Sequence, residues 1–162
     1  MSLEKYLSDT VLNLEESATL KMSQMARDLK AKGKDVISLS IGEPDFDTPE
    51  FIRDAAKKAL DDGYTHYTPV PGLMELRQAI CKKLERDNNL SYDPSQIVVS
   101  NGAKQSIANA LLCLVNPGDE VIVPSPYWVS YPEMIKLAEG KMVNVKTTID
   151  EHFKITPEQL EN

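Results

Sequence analysis

From Pro94 to Val145 the chain alternates short apolar runs with stretches of helical periodicity: Ile97-Val98-Val99, Ile107 to Val115, Val121-Ile122-Val123, Pro132 to Ala138, then Met142 to Val145. Continuous apolar runs of strand length read as strands buried on both faces, and their alternation with helices requires crossovers between parallel strands. An α/β architecture with a mostly parallel sheet is expected. Such strands call for helices above and below and for neighbouring strands, and this chain offers few of either.

Upstream, Ala18, Met22, Met25 and Leu29 recur at helical spacing, and Gly33 follows Lys30 and Lys32 as a stop signal. Val36-Ile37-Ser38-Leu39-Ser40 predicts a strand feeding a sharp loop at Gly42 and Pro44. Thr48-Pro49-Glu50 predicts a helix entry, with the Thr48 hydroxyl as cap and Pro49 where no donor is needed. Ile52, Ala55, Ala56, Ala59 and Leu60 line one face of that helix as far as Gly63, and Leu73, Leu76, Ile80 and Leu84 line the next. Between them Tyr64 to Gly72, with two prolines, is a rigid linker. Ser130 with Glu133 has capping-box spacing, and Gly140 is expected to close the helix it starts.

The two ends are less regular. Met1 to Glu16 is mixed and aperiodic, an arm ordered only by what it lies against. Thr156-Pro157-Glu158-Gln159 carries a helix-start signature just before Asn162, which points to truncation.

Composition narrows the function classes. With 41% hydrophobic and 27% charged residues, the chain has the balance of a globular domain rather than of a disordered tail or a membrane span. A net charge of -7 opposes binding to a phosphate backbone, and Lys57-Lys58 and Lys82-Lys83 read as solvated helix faces. Cys81 and Cys113 read as reduced core thiols, and the start lacks a basic region followed by an apolar run, so a cytoplasmic location is expected. His66, His152, Cys81 and Cys113 are scattered without ligand spacing, which gives no metal site, and neither GxSxG nor GxGxxG occurs.

Two loops could carry chemistry. Ser100-Asn101-Gly102-Ala103-Lys104-Gln105 lies between a strand and a helix, where backbone N–H groups and small residues suit a phosphate or carboxylate. An ordinary strand-to-helix turn is the plainer alternative. Ser125-Pro126-Tyr127-Trp128-Val129-Ser130-Tyr131 follows the strand at Val121, at the carboxyl end where ligands of open α/β sheets gather. Trp128, the only tryptophan, fits either a packing anchor or a ring-stacking platform.

Ser40-Ile41-Gly42-Glu43-Pro44-Asp45-Phe46-Asp47-Thr48-Pro49, Tyr67, Asn101 to Gln105, Pro117-Gly118-Asp119-Glu120-Val121 and Ser125 to Pro132 occur in an order and spacing similar to class I/II aminotransferases of the aspartate aminotransferase group. The resemblance runs from about Ala18 to the end. It implies part of a fold type I aminotransferase: residues 1–17 as an arm, 18–48 as the first part of the small domain, and 49–162 as the first part of the large cofactor-binding domain. It implies pyridoxal 5'-phosphate, with Gly102, Ala103 and Lys104 matching the phosphate turn, Trp128 the ring-stacking residue, and Tyr67 the residue reaching the neighbouring subunit's cofactor phosphate in a homodimer. Gly42 matches the glycine beside the substrate carboxylate, and Trp128 touches substrate as well.

The expected reaction is amino-group transfer between an amino acid, aspartate or similar, and a 2-oxo acid. A related pyridoxal-phosphate lyase, a non-catalytic small-anion-binding domain and an α/β nucleotide-binding module are the alternatives. No catalytic residue is assigned, because the family's cofactor-bearing lysine matches none of the lysines present; the 162 residues alone are expected to be inactive and poorly stable.

Overall fold

A computed structural model describes residues 4–161. The helices are α1 (Asp9–Leu12), α2 (Ala18–Ala31), α3 (Glu50–Asp61), α4 (Met74–Asn88), α5 (Ala103–Leu114), α6 (Ser130–Leu137) and α7 (Pro157–Glu161), and the strands are β1 (Glu120–Ser125) and β2 (Lys141–Lys146). They form two compact units, Met1–Gly42 with Gly102–Asn162, and Glu43–Asn101.

The first unit is built on a β1-α6-β2 crossover. The strands pair in parallel with Glu120 opposite Lys141 and Ser125 opposite Lys146, as the alternating pattern predicts. Register is set at the entry turn: the Asp119 carboxylate accepts from the Asn116 backbone N–H at 2.8 Å, and Asp119 O accepts from Lys141 N–H at 2.7 Å. The Asn116 backbone and side-chain N–H groups hold the Asp119 carboxyl below its ordinary pKa. Among the described residues Val123, Met134, Ile135 and Ala138 are the buried apolar ones, so the core of this unit centres on α6, packed against α5 and the strands.

The end of α6 departs from expectation. Glu139, at φ 59°, supplies the left-handed residue, with its N–H on Lys136 O and the Gly140 N–H on Ile135 O. Gly140 answers a different need. A Cβ there would stand 2.8 Å from Val115 Cγ1 and 3.2 Å from Ile135 Cγ2. The start of α6 differs too: Val129 occupies the cap position with no side-chain cap, Ser130 lies inside the helix, and Glu133 bonds elsewhere. At α7, by contrast, the expected reciprocal cap forms, Gln159 N–H to Thr156 Oγ1 at 3.2 Å and Thr156 N–H to Gln159 Oε1 at 2.9 Å.

Helix α2 ends as expected at Gly33, whose N–H reaches Lys30 O while Lys34 N–H reaches Leu29 O. Residues 36–40 do not form the expected strand. They lie beside α2 without regular structure or a ladder partner, held by a chain of hydroxyls in which buried Ser23 meets Ser40 at 3.1 Å and Ser40 meets Ser38 at 3.1 Å. A strand exists only where a neighbour takes its N–H and C=O groups, and none does so here among the described residues. Met22, Met25 and Leu29 stay exposed accordingly.

In the second unit α3 begins after Pro49, which takes the cap position without a side-chain bond, so the Thr48 hydroxyl does not cap it. No residue of α3 is buried. Its lysines pair on the surface, Lys57 with Asp54 and Lys58 with Asp62, and Lys83 of α4 pairs with Asp87, in keeping with solvated basic faces. Buried Arg77 of α4 donates through Nε and Nη2 to Pro94 O, and Asp93 and Gln96 cap each other reciprocally around that turn. Residues 97–99, expected as a strand, form no ladder: Ile97 N–H bonds Pro94 O at 3.2 Å and Val99 N–H bonds Pro71 O at 3.0 Å. Both cysteines are free; Cys81 is partly buried as expected, and Cys113 is exposed rather than in the core.

Gly140→Ala should destabilise the protein by about 1–3 kcal/mol through overpacking against Val115 and Ile135. Denaturant unfolding with an unchanged m-value checks it, and an unaltered midpoint would contradict the close approach.

Candidate cofactor and substrate site

Two loops at the ends of elements in the first unit bring the expected residues together. Gly102 precedes α5 with φ 83° and ψ 166°, a conformation essentially closed to residues with a Cβ. Gly102 has no side chain to cap this helix start, and a Cβ built on it would meet nothing within 4 Å. The turn is therefore glycine for backbone reasons and open for space, which suits an anion on N–H groups at the positive end of a helix. Ala103 and Lys104 are the first residues of that helix.

The second loop leaves β1 through a cis Ser125–Pro126 peptide and carries Tyr127 and Trp128 into α6. Its root is fixed: Ser125 O accepts from the Thr147 hydroxyl at 2.7 Å and from Thr147 N–H at 3.1 Å, while Ser125 Oγ donates to Asn144 Oδ1 at 3.1 Å. Trp128 packs edge-on against Tyr131, with centroids 5.7 Å apart and planes at 88°, and remains 43% exposed. Half-exposed and braced on one edge, the indole is both anchored and able to present a face. The Lys104 ammonium sits 4.7 Å from the centroid of that ring. Residues 24 positions apart in sequence, Lys104 and Trp128, thus form one cationic and aromatic corner.

The other expected residues have surroundings of their own. Gly42 has open space around it, with no atom within 4 Å of an ideal Cβ, so nothing in the described residues requires glycine there. Tyr67 belongs to the second unit and is fully exposed in the loop between α3 and α4. Among the described residues no cluster of His, Cys, Asp and Glu could hold a metal, and no helix is long and apolar enough to cross a membrane.

Beside the corner, a cavity of about 470 Å³ opens along β1, lined by Ile107, Leu111, Val121, Val123, Pro126 and Trp128. Its walls are mostly apolar, with polar side-chain atoms brought by Tyr127, Trp128 and Tyr131, and Ile122 on the same strand is also exposed. We read it as the flank of a parallel strand lacking a cover. Tyr131, which the sequence places in this loop without a role of its own, braces Trp128, and Glu133, expected in a cap with Ser130, instead accepts from the Glu15 N–H.

Gly102→Ala should cost about 1–3 kcal/mol, because the substituted residue must hold or abandon a glycine-only conformation. A thermal melt of the variant checks this, and equal stability would show that the turn tolerates a side chain.

Comparison with known proteins bears on what this corner belongs to. Over 156 residues the chain is 54% identical to an aspartate/prephenate aminotransferase of Cereibacter sphaeroides, covering 96% of this chain and 39% of that protein. It is 50% identical to an aspartate aminotransferase of Bacillus subtilis, again over 96% of this chain and 39% of the relative. The structure superposes on aspartate aminotransferase of Rhizobium meliloti with a TM-score of 0.90 at 42% identity, and on that of Thermus thermophilus with maleate, with a TM-score of 0.90 at 45% identity. These cover 96% and 95% of this chain, and 39% and 40% of the structures. The chain therefore spans about two fifths of the length of the relatives it matches. Residues 34–162 match the family described as aminotransferase class I and II, and the chain belongs to that family.

Proposed function

We propose that the chain is the amino-terminal part of a pyridoxal-phosphate-dependent enzyme that transfers an amino group between an amino acid, aspartate or similar, and a 2-oxo acid. The observation that carries this reading is the meeting of Lys104 with a half-exposed, braced Trp128 beside a glycine-only helix start. Family membership and relatives named as aspartate or aspartate/prephenate aminotransferases support the same reading.

The residues present fit the cofactor. Gly102, Ala103 and Lys104 would hold its phosphate through backbone N–H groups and one cation, and Trp128 would stack on its ring. When bound, the cofactor supplies an electron sink for the substrate's α-carbon. This chain's contribution is binding and orientation. Gly42 would lie beside the substrate carboxylate, and Tyr67 would reach the phosphate of a second subunit, a role that its full exposure in the linker supports. A homodimer, a cytoplasmic location consistent with two free cysteines, and the division into arm (1–17), first part of the small domain (18–48) and first part of the large domain (49–162) belong to the same proposal. The lysine that bears the cofactor would lie outside these residues, which would leave them inactive alone.

Pyridoxal phosphate titrated into the complete enzyme should bind and develop a visible absorption band. Trp128→Ala should weaken cofactor binding by up to about tenfold, the loss of one stacking partner. Gly42→Val should leave stability and that band unchanged, since its Cβ meets nothing among the described residues, while amino-acid affinity falls. Absence of the band in the unaltered enzyme would defeat the reading. Normal substrate titration by Gly42→Val would remove Gly42 from the site.

A further inference from the structure

The amino-terminal segment ends against α6 rather than in solvent. Helix α1 is capped by Ser8, whose Oγ accepts from Val11 N–H at 3.3 Å, so the arm is locally ordered where the sequence suggested no pattern. Glu15 then donates its backbone N–H to Glu133 Oε2 at 2.8 Å, across 118 positions of sequence. Lys136, one turn further along α6, places Nζ 2.9 Å from Glu133 Oε1 and 3.5 Å from Glu15 Oε1. Both oxygens of Glu133 are thereby engaged, one by the arm's backbone and one by the lysine.

The charge balance agrees with this geometry. Desolvation of Glu133 favours its neutral form, yet the Glu15 N–H and Lys136 outweigh it and hold the carboxyl below its ordinary pKa. Glu133 and Glu15 in turn raise the pKa of Lys136. Between arm and helix lies a recess of about 250 Å³, lined by Leu14 and Ser17 on the arm and by Lys104, Val129 and Met134 opposite. Lys104 therefore has the recess on one side and Trp128 on another.

We propose that residues 14–17 form a strap clasped to α6 by Glu133 and Lys136, and that releasing this clasp opens the recess beside Lys104. The clasp is polar and partly exposed, whereas the α6 core of Met134 and Ile135 is buried. One can therefore open without the other. A link from the strap to cofactor binding rests on the proposed role of Lys104; the clasp itself does not.

Amide hydrogen exchange of the complete enzyme without added cofactor tests the clasp independently of that role. Glu133→Ala should speed exchange at Glu15 by about tenfold or more, the loss of a charge-assisted hydrogen bond, with α6 and β2 amides unchanged. Lys136→Met should produce a smaller acceleration at the same amide, because Glu133 keeps its acceptor. Exchange at residues 14–17 unaltered by Glu133→Ala would overturn the proposal. If Glu133→Ala also loosens α6, Glu133→Met decides, since it keeps the bulk of the side chain and offers no oxygen to the Glu15 N–H: faster exchange confined to residues 14–17 upholds the clasp, and exchange at the unaltered rate rejects it.

Discussion

Parallel pairing of β1 with β2 obliges the chain to cross over between two strands that run the same way, and the crossover carries half of the proposed site. Helix α6 buries Met134 and Ile135 against the strands, and the loop that enters it lifts Trp128 out of the core. Thr147 fixes the root of that loop by donating twice to Ser125 O. The indole can be half-exposed and still be held, because its support is paid in strand pairing and in the edge contact with Tyr131 rather than in its own burial.

Electrostatics complete the corner. The chain carries a net charge of -7, yet the group standing over Trp128 is the Lys104 ammonium, placed at the start of a helix whose first turn is itself partially positive. An anionic, aromatic ligand is the chemistry that complements a cation, a ring face and helix N–H groups in one place. The same lysine borders the recess walled on one side by the arm, so a local clasp at Glu133 lines the same recess as the proposed cofactor-binding lysine.

Much of this was legible in the sequence because it rests on local chemistry. The β1-α6-β2 alternation, the stop at Gly33, the cap at Thr156 and the turn at Gly102 each follow from a few neighbouring residues. Other features depend on partners distant in the chain. The apolar runs at 36–40 and 97–99 have strand composition, but pairing is decided by neighbours that the described residues do not provide. Glu133 has perfect capping spacing from Ser130, and a backbone N–H 118 positions away takes its carboxylate instead. Gly140 was legible as a glycine but not for its reason, since Glu139 makes the left-handed turn and the side chains of Val115 and Ile135 fill the space where a Cβ would go. Contact between Lys104 and Trp128 had no signal in spacing at all, only in the resemblance that assigned both to one cofactor.

The central claim is that one phosphorylated aromatic ligand spans the Gly102 turn and Trp128. A crystal structure of the complete enzyme soaked with pyridoxal phosphate tests it most directly. The account predicts the phosphate within hydrogen-bond distance of backbone N–H groups in the Gly102–Lys104 turn and the pyridine ring stacked on Trp128. A phosphate seated elsewhere, with the Trp128 face covered by protein, would contradict it.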